Sequence, residues 1–90
     1  MPGKRAKPVV VITGASSGIG RATAHAFAKK GSSLVLGARR ERLLERAGEE
    51  CRRHGVDVLV VPLDAGDEQS VRNLADAALA RFGRIDVWVN

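Results

Sequence analysis

The segment Thr13-Gly14-Ala15-Ser16-Ser17-Gly18-Ile19-Gly20 decides how this chain is read. Before it stands Val9–Thr13, a short apolar run rich in β-branched residues, which predicts a buried strand. After it, Ile19, Ala22, Ala26, Phe27 and Lys30 recur at helical spacing until Gly31 stops the pattern. A glycine-rich turn acquires meaning only in this strand–turn–helix context. Gly14 lets the chain leave the strand in a tight turn. Gly18 removes a side chain where a pyrophosphate would approach the backbone, and Gly20 lets the helix pack close to the sheet. The first N–H groups of that helix lack intrahelical acceptors, and its aligned peptide dipoles place positive charge there. Such a terminus takes an anion, and Ser16 and Ser17 add hydroxyl donors. No Gly-Lys-Ser/Thr follows, so a P-loop is excluded.

Outward from the turn, strands and helices alternate. Ser33–Ala38 reads as a second strand. Leu43, Leu44, Ala47 and Cys51 form the apolar stripe of a second helix ending near Gly55. Val56–Leu63 reads as a third strand, its near-continuous apolar run suiting a parallel strand covered on both faces. Val71, Leu74, Ala75, Ala78, Leu79 and Phe82 mark one face of a third helix, with Asp67 as N-cap and Gly83 as its close. Ile85–Val89 begins a fourth strand. This βαβαβαβ order predicts an α/β fold, the N-terminal half of a Rossmann-type doubly wound parallel sheet with right-handed crossovers. Such a sheet is complete only with two mononucleotide-binding halves. Residues 8–90 are therefore read as the N-terminal part of a dinucleotide-binding domain, truncated in or just after strand four. Residues 1–7, with Lys4, Arg5 and Lys7, are read as a flexible basic tail.

Ninety residues, 44% of them hydrophobic, form one domain at most. The single Cys51 permits no internal disulfide. With His25 and His54, which the pattern puts on helices, it makes no metal-ligand spacing, so no metal is expected and Cys51 reads as a small buried hydrophobe. The run Val9–Ile12 is too short for a signal peptide or a membrane span, which predicts a soluble cytoplasmic protein without a membrane partner. The formal charge of +5 raises the alternative of a basic nucleic-acid-binding module. No stretch interleaves basic residues with Phe27, Phe82 or Trp88, and that alternative leaves the glycine turn unexplained. Arg42, Arg46, Arg52 and Arg53, interleaved with Glu41, Glu45, Glu49 and Glu50, read as a solvated helix face. Arg39 and Arg40 differ: they precede a helix N-terminus, where the dipole disfavours cations unless a bound anion offsets it.

The turn TGASSGIG resembles the glycine motif Thr-Gly-x-x-x-Gly-x-Gly of the short-chain dehydrogenase/reductase family, in its compact branch. Leu63-Asp64 and Val89-Asn90 also match the family pattern. The resemblance implies an oxidoreductase moving hydride between a nicotinamide cofactor and a small carbonyl or alcohol substrate, in a full-length protein that is a homo-oligomer. It places the cofactor on Gly14, Ser16, Ser17, Gly18, Ile19 and Gly20. The position of an NAD-selective acid falls on Ala38, with Arg39 and Arg40 next, which favours NADP over NAD. Arg39 is assigned the main 2′-phosphate contact, assisted by Ser16 and Arg40. The resemblance gives Asp64 the adenine amino group, beside the Ala65 backbone; the competing reading is a helix-entry or turn residue, since Ala65-Gly66-Asp67 follows. Asn90 is placed near the ribose. Relatives use a Tyr, a Lys, a Ser and a second Asn for catalysis, and this chain has no Tyr. No catalytic residue is therefore assigned, and the ninety residues alone are expected to be inactive. The alternative is a dinucleotide-binding fragment or sensor without chemistry.

Overall fold

The computed structural model describes residues 7–90, along which four strands and three helices alternate. They are β1 (Val9–Thr13), α1 (Gly18–Lys29), β2 (Ser33–Ala38), α2 (Glu41–Arg52), β3 (Val58–Pro62), α3 (Glu68–Phe82) and β4 (Val87–Val89). The expected element order is present. The proposed basic tail lies, apart from Lys7, outside the described residues.

All strand pairs are parallel, and the sheet order is β3-β2-β1-β4. Val11 stands opposite Val35 on one side and Trp88 on the other. The chain runs outward from β1 to β3, then returns across the sheet to lay β4 beside β1. The strand order thus reverses between β1 and β4, the switch point where open parallel sheets bind ligands at their carboxyl ends. Asp86 sets the start of that return: its carboxylate accepts from Val9 N (2.8 Å), and its own N–H donates to Val9 O (2.9 Å). The Arg84 guanidinium, followed by the Val9 N–H, holds the Asp86 carboxyl below its ordinary value.

Side chains alternate across the sheet with period two. Val10, Ile12, Leu34 and Leu36 face α1 and α2, packing with Ala24, Ala28, Leu44, Ala47 and Cys51. Val9, Val11 and Val35 face α3, packing with Leu63, Leu74 and Ala78. Cys51 is fully buried, and burial pushes its thiol up, so it behaves as a small hydrophobe.

Several expectations need correction. The ladder of β3 is shorter than Val56–Leu63; both end residues are buried but stand outside the strand. Its two faces are covered, yet its middle residues are only half-buried, because β3 is the edge of the sheet. Arg52 Nη2 donates to Val58 O (2.9 Å), placing a charge on that edge. Strand β4 starts at Val87 rather than Ile85. The apolar face of α1 is rotated from the expected one. Ala24 and Ala28 are buried, Phe27 is half-buried, and Ile19, Ala22 and Ala26 are exposed. The helix lies so close to the β1 turn that its contact face admits only small residues, Gly20, Ala24 and Ala28 at intervals of four. On α3, Leu74 and Ala78 are buried while Leu79 is exposed. Its caps are as expected: Asp67 accepts from Gln69 N, and the Gly83 N–H closes on Leu79 O. His54 sits in the turn after α2, not on the helix.

Glu50 also departs from its expected place on a solvated face. It turns toward α1, accepting from Arg21 Nε (2.9 Å) and Nη2 and from His25 Nε2 (2.9 Å). The Arg21 hydrogen bonds, then the His25 contact, lower its carboxyl from 4.5 to about 2. A carboxyl depressed in the fold stabilises it above the unfolded value and loses that contribution as pH falls through the folded one. Urea unfolding of the full-length protein should therefore show Glu50→Gln less stable than wild type at pH 7. The gap should shrink between pH 4.5 and 2. A gap independent of pH would contradict the assignment.

Candidate functional site

The carboxyl ends of β1, β2 and β3 open onto a cleft of about 460 Å³. One wall is the turn after β1, through Gly14, Ser16 and Ser17. The opposite wall is the end of β2, through Ala38, Arg39 and Arg40. Leu63 and Ala65, after β3, complete it.

Backbone geometry explains the turn. Gly14 and Gly18 have φ of 67° and 56°, in the left-handed region that other residues avoid. Neither has an atom within 4 Å of where a Cβ would stand, so conformation, not crowding, requires glycine there. Gly20 is different. A Cβ there would lie 2.0 Å from the Gly14 carbonyl oxygen. The third glycine thus lets the first turn of α1 rest on the peptide that leaves the strand. Ala15 is fully buried, and its N–H donates to Gly37 O (3.2 Å), tying the turn to β2.

Ser17 is the N-cap of α1, but its side chain makes no capping bond, and the first turn of α1 holds no acid. The N–H groups of Gly18, Ile19 and Gly20 have no intrahelical acceptor. The other helices begin differently: α3 has the Asp67 cap and Glu68, and α2 has Glu41. The start of α1 is the terminus left open for an anion.

Arg39 and Arg40 are exposed, and Arg40 occupies the N-cap of α2 without making a side-chain cap. Among the described residues neither guanidinium is ion-paired. No carboxylate lines the cleft. Two cations therefore stand at a positive helix end with no carboxylate paired to them among the described residues, an arrangement that a bound dianion stabilises. Both the open α1 terminus and this pair fit a ligand carrying a pyrophosphate and a further phosphate.

Asp64 lines an adjoining cleft of about 330 Å³ with Arg39, Pro62 and Leu63. Its Oδ1 accepts from Gly66 N (3.0 Å), and its carbonyl accepts from Asp67 N (3.0 Å). The turn reading of Asp64 is thus realised, while Oδ2 has no hydrogen-bond partner among the described residues. Asn90 Oδ1 accepts from Trp88 Nε1 (2.9 Å) and lies 3.4 Å from Thr13 Oγ1, which places it at the end of β1.

Of the residues singled out from sequence, the larger cleft gathers Gly14, Ser16, Ser17, Arg39, Arg40 and Ala65, and the smaller one Asp64. Gly18, Ile19, Gly20 and Asn90 line neither; the Ile19 side chain is 88% exposed. Sequence reasoning gave no site role to Leu63, which lines both clefts and is signalled by ending an apolar run and by the Leu63-Asp64 match. It also missed Ser70, whose Oγ accepts from Asp64 N (2.9 Å) and which carries no sequence signal.

The family model described as short chain dehydrogenase matches residues 8–90. The 11-beta-hydroxysteroid dehydrogenase A of Sesamum indicum is 51% identical over 83 residues, 91% of this chain and 24% of its own length. A short chain dehydrogenase/reductase from Burkholderia phymatum, solved in complex with NAD, superposes with a TM-score of 0.88 at 41% identity. It covers 91% of this chain, which spans 29% of that structure. An alcohol dehydrogenase from the archaeon Thermococcus sibiricus, complexed with 5-hydroxy-NADP, gives a TM-score of 0.87 at 43% identity, over 91% of this chain and 35% of its own. The chain spans about a quarter of the length of the curated relatives it matches.

The contact at Gly20 is directly testable. A methyl group there meets backbone, which yields less readily than a flexible side chain. Gly20→Ala should lower the unfolding free energy of the full-length protein by about 1–3 kcal/mol, the range for overpacking. An unchanged denaturant midpoint would contradict the geometry.

Proposed function

The chain belongs to the short-chain dehydrogenase/reductase family, and from that premise we propose that it is the NADP-binding portion of an oxidoreductase acting on a small carbonyl or alcohol. One observation carries the reading: a carboxylate-free cleft at the strand ends, between an uncapped helix terminus and two unpaired arginines. The N–H groups of Gly18, Ile19 and Gly20 bind the pyrophosphate, with Gly14, Ser16 and Ser17 shaping that wall. Arg39 takes the 2′-phosphate, helped by Arg40 and Ser16. Asp64 offers Oδ2 to the adenine amino group beside Ala65, and Asn90 stands toward the ribose. When bound, the nicotinamide supplies the hydride chemistry.

Ala38 supports NADP over NAD. It ends β2 where an acid would accept from a free ribose hydroxyl and repel a 2′-phosphate. The relatives do not choose between the cofactors, since NAD and an NADP derivative both occur in the solved structures. Among the described residues no helix is long and apolar enough to cross a membrane, and the full-length protein is proposed to be a cytoplasmic homo-oligomer. The absence of Tyr supports a binding role without proton transfer for these ninety residues.

Two outcomes follow. The ninety-residue chain should not oxidise NADPH with any carbonyl substrate; turnover that tracks the purified chain would overturn the assignment of binding alone. In the full-length protein, Arg39→Ala should weaken NADP binding by roughly ten- to a hundredfold, the loss of one charge-assisted hydrogen bond, with NAD nearly unaffected. Adding Ala38→Asp should turn the preference to NAD. Equal weakening of both cofactors by Arg39→Ala would remove the phosphate role from Arg39.

A further inference from the structure

Both clefts depend on the segment that leaves β3. Leu63 and Ala65 line the larger one, Leu63 and Asp64 the smaller. Leu63 is held firmly: its side chain is buried and its N–H donates to Ala38 O (2.9 Å). Past Leu63 the chain leaves the sheet, and residues 64 to 67 are all exposed. Two hydrogen bonds close this turn on itself, from Gly66 N to Asp64 Oδ1 and from Asp67 N to Asp64 O. The second of these ties the Asp64 carbonyl to the N-cap of α3. The bond from Asp64 N to Ser70 Oγ (2.9 Å) adds a side-chain tether from within α3 itself and holds the other side of the Asp64 backbone. Ser70 lies one turn before Leu74, on the same side of the helix, and Leu74 is fully buried against the sheet. The half-buried Ser70 hydroxyl is thus an acceptor carried on a docked helix face.

We propose that Ser70 is a positioning residue of the dinucleotide site: its hydroxyl fixes the Asp64–Ala65 backbone and so sets recognition of the adenine ring. The inference rests on the function proposed above and deepens it. Ser70 touches no ligand atom. It acts by keeping the free Asp64 oxygen and the Ala65 backbone in one place, while the phosphate contacts at α1 and Arg39 lie on other elements. Loss of the hydroxyl should therefore weaken discrimination at the base and leave phosphate binding in place.

The test titrates the full-length protein with NADP and with its hypoxanthine analogue, which lacks the amino group. Wild type should bind the adenine form more tightly. Ser70→Ala should weaken the adenine form by about two- to tenfold, as one neutral hydrogen bond implies, and leave the hypoxanthine form nearly unchanged. Ser70→Thr should restore the preference. Should the alanine variant not fold, Ser70→Cys keeps the size and accepts weakly, giving the same comparison. A variant that keeps the full adenine preference, or loses both dinucleotides alike, overturns the role of Ser70. So does a wild type that binds both forms equally. A wild type that binds neither overturns the functional reading, and this inference with it.

Discussion

The first turn of α1 rests on the carbonyl of Gly14, and this contact is possible only because Gly20 has no side chain. The rest of the site follows from that closeness. It brings the start of α1 to the carboxyl end of β1, directly at the point where the strand order reverses. It also dictates the packing below: the residues that α1 buries are Ala24 and Ala28, while Leu44 of α2 and the half-buried Phe27 supply larger side chains to the same cluster. Association at that distance sets the unpaired N–H groups of the first turn at the carboxyl end of β1, beside the cleft that Gly14, Ser16 and Ser17 line. The same few residues therefore specify a packing geometry and an electrostatic one.

The charge distribution follows the same division. Net charge is +5, yet most described charges pair or face solvent along α2. Glu50 is held by Arg21 and His25, and Asp86 by Arg84. Arg39 and Arg40 break the pattern, since two cations at a helix start oppose its dipole. A local conflict of this kind, placed beside an open anion-binding terminus, is where a sequence favours function over stability.

Much of this was legible in the sequence, for physical reasons that also mark the limits. Strands β1 and β2 read clearly because fully buried parallel strands are nearly continuous apolar runs. The helix faces read less well. On α1 the small residues that make contact are indistinguishable from those that do not, and Ile19 outweighs them in any count of hydrophobicity while standing almost fully exposed. On α3 Leu79 misleads in the same way. The ends of β3 blur because Val56 and Leu63 are buried without joining the ladder. The motif located the cleft, but its membership depends on the sheet order, which no local pattern encodes. The bonds of Asp86 to Val9 and of Ser70 to Asp64 belong to residue types with no distinctive periodicity.

The open start of α1 is proposed to receive the pyrophosphate of a dinucleotide. That role is tested most directly by following backbone amide resonances of the isotopically labelled full-length protein during titration with NADP. The largest changes should fall on the Gly18, Ile19 and Gly20 N–H groups, with a second set at Arg39 and Arg40. Saturable binding that leaves the Gly18, Ile19 and Gly20 amides unmoved would contradict the account.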